Sequence, residues 1–184
     1  MGTATKWFAG LAAFTLCALF LAVQTPEAVA GNGYLLLKAG GYDPQANDVK
    51  DLDTGFNGEI AVGKFFLPFL GVEFGAGYFE ASKDPVKLTV YPVTLAAKLR
   101  LPIPLVKPYA IGGGGAYFSK AETTGGGSKS DTAFGYFAGV GVDFKVAFLL
   151  LNMEGKYLWA EPTFNGSNVK IDGAVVTAGV GIEF

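Results

Sequence analysis

The residues able to do chemistry are few, and nearly all of them are charged. Lys38, Glu59, Glu73, Lys98, Arg100, Asp143, Glu154, Lys156 and Glu183 stand inside stretches otherwise dominated by apolar side chains and glycine. Two carboxylates flanking a substrate can act as general acid and general base. Here five carboxylates are accompanied by four cations, and opposite charges held together away from water pair before they do acid–base work. Histidine is absent from all 184 residues, which removes the usual base for a serine or cysteine nucleophile. Ser82, Ser119, Ser128, Ser130 and Ser167 lie in or beside polar connections with no evident base. The run Gly112 to Gly115 has the composition of a phosphate-cradling loop. No Lys-Ser or Lys-Thr follows it, and it interrupts an extended stretch instead of opening a helix. A formal net charge of −2 without a basic cluster offers nothing to nucleic acid. The pattern therefore implies no enzyme, no cofactor and no metal centre, and it leaves ion pairing as the chemistry to be explained.

The elements that must position these charges are read from alternation. Residues 174–184 run A-V-V-T-A-G-V-G-I-E-F. Ala174, Val176, Ala178, Val180, Ile182 and Phe184 form one apolar row, while Thr177, Gly179, Gly181 and Glu183 sit on the other. A period of two over that length is an extended strand with two chemically different faces. The apolar row could face a soluble core, or it could face lipid with the Gly/Thr/Glu row turned to a barrel lumen. Ahead of the fold, residues 1–30 read as a cleavable signal peptide. Lys6 precedes an apolar run from Trp7 to Val23, and Ala28-Val29-Ala30 supplies a small-x-small cleavage site. Cys17 lies inside that run after Leu16, not after a small residue, so a lipid-modified cysteine is not expected. Removal of the signal leaves residues 31–184 without cysteine, which suits an oxidising envelope compartment. No later apolar run is long enough for a membrane helix, so a membrane-spanning chain would have to close into a barrel.

Eight alternating segments follow the signal: residues 33–42, 53–65, 70–80, 87–101, 107–119, 132–144, 148–160 and 174–184. They are longer than most soluble strands, and membrane strands need about 9–11 residues when tilted. Their connections alternate between short links and longer polar stretches at residues 43–52, 81–86, 120–131 and 161–169. An even strand number places both termini with the short turns, the periplasmic side of an outer-membrane barrel. Pro92 falls inside the fourth segment and is read as a bulge. The glycines at 112–115 are read as inward-facing, allowing a narrow barrel to close. Following the chain up and down, Tyr78, Tyr91, Tyr117, Tyr136, Tyr157 and Trp159 are expected outward near the long-loop rim. Tyr109, Phe144 and Phe184 are expected outward near the other rim. Two aromatic belts around an apolar band match the two interfaces of a bilayer.

With the signal peptide, the eight segments, D-T-G-F at residues 53–56 and the run from Val90 to Phe118 (V-Y-P-V-T-L…K-P-Y-A-I-G-G-G-G-A-Y-F), the chain resembles the small outer-membrane β-barrel proteins of Gram-negative bacteria. These are single-domain barrels similar in form to the OmpA transmembrane domain. The resemblance covers essentially all of residues 31–184 and implies a porin-like all-β fold, an eight-stranded antiparallel up-and-down barrel. It also implies that Val176, Ala178, Val180, Ile182 and Phe184 form the signal read by the barrel-assembly machinery, with periplasmic chaperones as earlier partners. Outer-membrane lipid and lipopolysaccharide are the expected partners of the mature, monomeric protein, with Lys50, Lys83, Lys120 and Lys129 available to the latter. An eight-stranded barrel is just wide enough for side chains to fill. The charges listed at the outset are thus expected to form a lumen ion-pair network, and the role is structural or surface-interactive. A narrow gated pore for small solutes or ions is the alternative.

Overall fold

A computed structural model describes residues 32–47, 49, 52–84, 86–123, 128–164 and 167–184. The signal-peptide residues 1–30 and Lys50 lie outside the described residues. The barrel strands are β1 (Gly33–Pro44), β2 (Gly55–Phe65), β3 (Leu70–Lys83), β4 (Val86–Arg100), β5 (Val106–Thr123), β6 (Ser128–Val146), β7 (Leu149–Ala160) and β10 (Gly173–Glu183). A two-stranded hairpin, β8 (Thr163–Phe164) and β9 (Ser167–Asn168), stands in the connection between β7 and β10. The eight long strands close into one antiparallel barrel in which each pairs with its sequence neighbours and β1 pairs with β10.

The wall has the two faces that the alternation demanded. Outward residues include Leu37, Leu95, Leu99, Val140, Met153, Val176, Val180 and Ile182, all exposed, with Phe184 at the end of the row. Val175 and Thr177, the alternate residues of the same strand, are buried. An outer wall of large apolar side chains is disfavoured in water by about 25 cal/mol for each Å², and lipid removes that penalty. Aromatic clusters occupy the same outer face. Phe56, Tyr78 and Tyr91 pack at centroid separations of 6.5 and 5.4 Å, and Tyr136, Trp159 and Tyr157 at 5.2 and 4.8 Å. Phe144 is half-buried at the short-turn end, opposite Val106 and Leu151. Phe184 closes the seam: its backbone exchanges two 2.8 Å hydrogen bonds with Gly33, and its ring lies where a Gly33 Cβ would be, 2.8 Å away.

Several expectations are corrected. Tyr109 and Tyr117 do not join the belts; both are buried in the lumen, as is Ile111. Strand β5 carries Tyr109, Ile111, Gly113, Gly115 and Tyr117 on one row and Ala110, Gly112, Gly114 and Ala116 on the other, so neither row is polar. Placing the bulkier row against lipid follows from hydrophobicity alone. Volume decides otherwise, because the inner row of the facing β6 offers glycine where these rings lie: a Cβ at Gly141 would lie 2.4 Å from Tyr109 Cζ, and one at Gly135 would lie 2.8 Å from Tyr117 Cε2. The tyrosines fill the space those glycines leave. By the same parity Gly113 and Gly115 point inward while Gly112 and Gly114 point to lipid, so only half of that run lines the lumen.

Pro92 makes no bulge. The β3–β4 register is unchanged on either side of it, from Ala76 opposite Val93 to Phe79 opposite Val90, and the β4–β5 ladder runs straight through with Pro92 opposite Tyr117. The missing N–H is absorbed where the β3 ladder lapses for two residues. The polar stretches at 81–86 and 120–131 are also shorter as loops than their composition suggests. Pairing continues to Lys83 opposite Val86 and to Glu122 opposite Ser128. Above the apolar band both strand faces meet water, so the two-residue hydrophobic period vanishes while the hydrogen-bond ladder persists.

Candidate functional site

The inner rows of the eight strands bring the charges into two groups. Lys38 on β1 stands directly opposite Glu59 on β2, and its ammonium lies 3.0 Å from Glu59, 2.9 Å from Glu73 and 3.2 Å from Glu154. Lys156 joins Glu59 to Glu154 from β7, at 2.5 and 3.3 Å. Lys98 on β4 lies 3.1 Å from Asp143 and 3.6 Å from Glu73. Three lysines and four carboxylates thus form one continuous network, with Lys38, Lys98, Glu73, Asp143 and Glu154 buried. The Lys38–Glu73 bridge joins charges at two heights of the lumen, because a lysine stem spans the rise between neighbouring inner rows.

Two tyrosines brace this network through one repeated geometry. Tyr34 on β1 faces Gly63 on β2, which in turn faces Glu73 on β3. The ring lies flat across the glycine, where a Cβ would stand 2.2 Å from Tyr34 Cζ, and the hydroxyl donates to Glu73 at 2.6 Å. On the opposite wall Tyr109 on β5 faces Gly141 on β6, which faces Glu154 on β7. Its hydroxyl donates to Glu154 at 2.8 Å. Each glycine lets an aromatic ring step over one strand and reach a carboxylate on the next. Lys98 sits between the two rings, 4.7 Å from the Tyr34 centroid and 3.7 Å from that of Tyr109. Its ammonium has no hydrogen bond of good geometry, so ring faces and carboxylate charge compensate it instead. Asn152 completes the group, its amide donating to Asp143 at 2.7 Å and to the Tyr109 hydroxyl at 2.8 Å.

The second group lies at the short-turn end. Glu183 receives Lys107 at 3.0 Å and Lys145 at 3.1 Å, with Arg100 at 3.6 Å. Lys107 and Lys145 were not among the sequence-derived lumen charges. Lys107 belongs to the β5 row assigned to lipid, and Lys145 lies one residue beyond the expected end of its strand. Lys145 shares the parity of Asp143, a recognised lumen charge, and that signal would have found it; Lys107 shares the parity of Tyr109, which was assigned to lipid, so only the corrected face of β5 reveals it.

Above the network the lumen turns apolar. Tyr42, Phe79, Leu88, Val90, Phe137 and Leu158 belong to one buried cluster that also takes in Ala46, Val49 and Ile171 from the connecting segments. The β1–β2 connection is tied to the β7–β10 connection by hydrogen bonds from the Gln45 and Ala46 amides to the Asp172 carbonyl, at 2.9 and 3.1 Å. The Tyr42 hydroxyl donates to the Ile171 carbonyl at 2.7 Å. Between apolar and charged layers lies a cavity of about 20 Å³ bordered by Asn57, Glu59, Tyr117 and Lys156, space for about one water molecule.

The family description "Outer membrane protein beta-barrel domain" matches residues 13–184. The chain belongs to that family. It is an integral outer-membrane barrel of OmpA-like form. No curated protein matches its sequence. Among solved structures this outer-membrane barrel is similar to Neisserial surface protein A, at 17% identity and a TM-score of 0.70, over 83% of this chain and 97% of that one. It is similar to Ail, the attachment invasion locus protein of Yersinia pestis, at 16% identity and 0.59, over 84% and 99%. It also matches the N-terminal β-barrel domain of Pseudomonas aeruginosa OprF, at 14% identity and 0.56, over 84% and 98%. At such identities these likenesses speak for the fold alone.

Proposed function

We propose that this barrel is a non-conducting, non-catalytic outer-membrane protein that presents its long-loop end as a contact surface, with both termini in the periplasm. The observation that carries the closed lumen is the stacking of side-chain layers, with a gap of only about 20 Å³ between the upper two: the Glu183 cluster, the lysine–carboxylate network between Tyr34 and Tyr109, and the apolar layer around Phe79 and Phe137. Reconstituted into planar bilayers, the protein is expected to be electrically silent, and discrete conductance steps from the unaltered protein would overturn this reading. A second reading, a gated pore, draws on Asn57 Oδ1 and Ser119 Oγ, buried without hydrogen-bond partners, of which Asn57 borders the small cavity. Under that reading Lys38→Ala or Glu59→Ala enlarges steps already present in the wild type.

For the contact surface the support is chemical. Lys87 pairs with Glu80 and Lys120 with Glu122, at 2.9 and 2.7 Å, on exposed strand extensions. Such surface pairs are worth little individually, so lipopolysaccharide phosphates can compete for these lysines and for Lys83. Attachment, as in the printed name of Ail, is one use to which such a surface can be put. The row Val176, Ala178, Val180, Ile182 and Phe184 is proposed as the barrel-assembly signal, and the barrel as a monomer. Deleting Phe184 is expected to impair insertion into cellular outer membrane at least about tenfold more than folding in detergent. Comparing heat-modifiable gel migration of the two preparations checks this, and equal effects would sink it.

A further inference from the structure

The short-turn end holds a cavity of about 310 Å³ bordered by Arg100, Lys107 and the turns that carry Phe66, Leu67, Ile103 and Pro104. Its electrostatics are unbalanced. Among the described side chains, Arg100, Lys107 and Lys145 share a single carboxylate, Glu183, which leaves a surplus of two positive charges within that group. Arg100 is the distinctive member. It is only 9% exposed, its guanidinium lies 3.5 Å from the Phe65 ring centroid, and its Nε donates to the Pro68 carbonyl at 3.3 Å. Among the described residues its terminal nitrogens have only the 3.6 Å approach to Glu183, too long for a hydrogen bond. A fixed guanidinium with open donors beside a lysine suits a phosphate group, which can accept from both at once.

The surroundings say which kind of phosphate. Phe66, Leu67, Ile103 and Leu105 on the adjoining turns are 65%, 45%, 47% and 63% exposed. Leu105 also keeps a positive φ of 70°, a conformation leucine avoids unless its surroundings hold it there. A soluble phosphate would leave these apolar turns in water, whereas a lipid would lay glycerol and acyl chain over them while its headgroup reached Arg100. We propose that this pocket binds the phosphate of an anionic phospholipid from the leaflet surrounding the short turns. The proposal rests on the reading that this end of the barrel lies in the phospholipid leaflet.

Native mass spectrometry of the folded protein released from detergent micelles tests it, with phosphatidylglycerol or phosphatidylcholine added. Phosphatidylglycerol adducts are expected to exceed phosphatidylcholine adducts about tenfold, and the Arg100→Gln/Lys107→Gln double variant to abolish the preference. Heat-modifiable migration checks that this variant still forms a barrel. Lys145→Gln, nearer the rim, is expected to reduce the preference in part and serves as the second variant if the double one fails to fold. Equal binding of the two lipids, or an undiminished preference in every folded variant, would overturn the proposal. Displacement of phosphatidylglycerol by equimolar inorganic phosphate would also overturn it, marking the pocket as a soluble-anion site. Solubility of the folded protein without detergent would refute the membrane reading itself, whereas lost headgroup preference in a micelle-embedded barrel would refute this proposal alone.

Discussion

Replacing Lys38 with methionine is expected to lower the unfolding free energy of the barrel by about 3–5 kcal/mol, the cost of stripping the partner from a buried charge. Lys38 touches three carboxylates, Glu59, Glu73 and Glu154, and its ammonium is completely enclosed. Methionine keeps most of the stem volume, so the loss isolates charge from packing. Without that ammonium the central group holds four carboxylates against two lysines, Lys98 and Lys156. The diagnostic variant is Lys38→Met combined with Glu73→Gln, which removes one charge of each sign and leaves Tyr34 an acceptor. Denaturant titration in detergent is expected to find the double variant more stable than Lys38→Met alone. Simple additivity of the two single effects would show that Lys38 and Glu73 do not stabilise one another despite their contact.

The second large effect belongs to a residue with no side chain. Gly63→Val should cost roughly 3 kcal/mol or more, combining overpacking at about 1–3 kcal/mol with the loss of a hydrogen bond to a buried carboxylate at about 1.5–3 kcal/mol. A Cβ there would meet both Cζ and the hydroxyl of Tyr34, at 2.2 and 2.3 Å, so the ring must leave Glu73. Tyr34→Phe should show the second part alone. In a Tyr34→Ala background the three atoms nearest to that Cβ, all of the tyrosine ring and hydroxyl, are gone, and the cost of valine should fall. If valine costs the same in both backgrounds, the barrel wall itself and not the tyrosine brace is what requires glycine. Gly141→Val, beneath Tyr109, is expected to repeat the result on the opposite wall, since Met153 O and the Tyr109 ring both crowd that site.

Legibility followed the strength of the alternation. In β10 the row Val176, Ala178, Val180, Ile182 and Phe184 is read directly, since glycine, threonine and glutamate fill the other row. In β5 the rule had nothing to act on, and Tyr109, Ile111 and Tyr117 were given the wrong face. Hydrophobicity distinguishes polar from apolar, but a barrel interior also contains large apolar and aromatic groups, so the two environments overlap in composition. The charges were easier to place than the tyrosines, because a charge on the lipid face is costly and its parity is therefore unambiguous. Lys107 and Lys145 escaped only because the parity or the length of their strands was misjudged.

The sequence by itself determined the eight strands, their antiparallel order and the separation of a lipid face from a charged interior, because those follow from local period and from the price of charge in hydrocarbon. Only the tertiary structure decided which carboxylate each lysine meets, that Tyr34 and Tyr109 cross glycines to brace Glu73 and Glu154, and that Arg100 joins Lys107 and Lys145 around Glu183 at the short-turn mouth. Those facts depend on register and on volume across the lumen between strands distant in sequence, such as Lys38 and Glu154, and no local pattern encodes either.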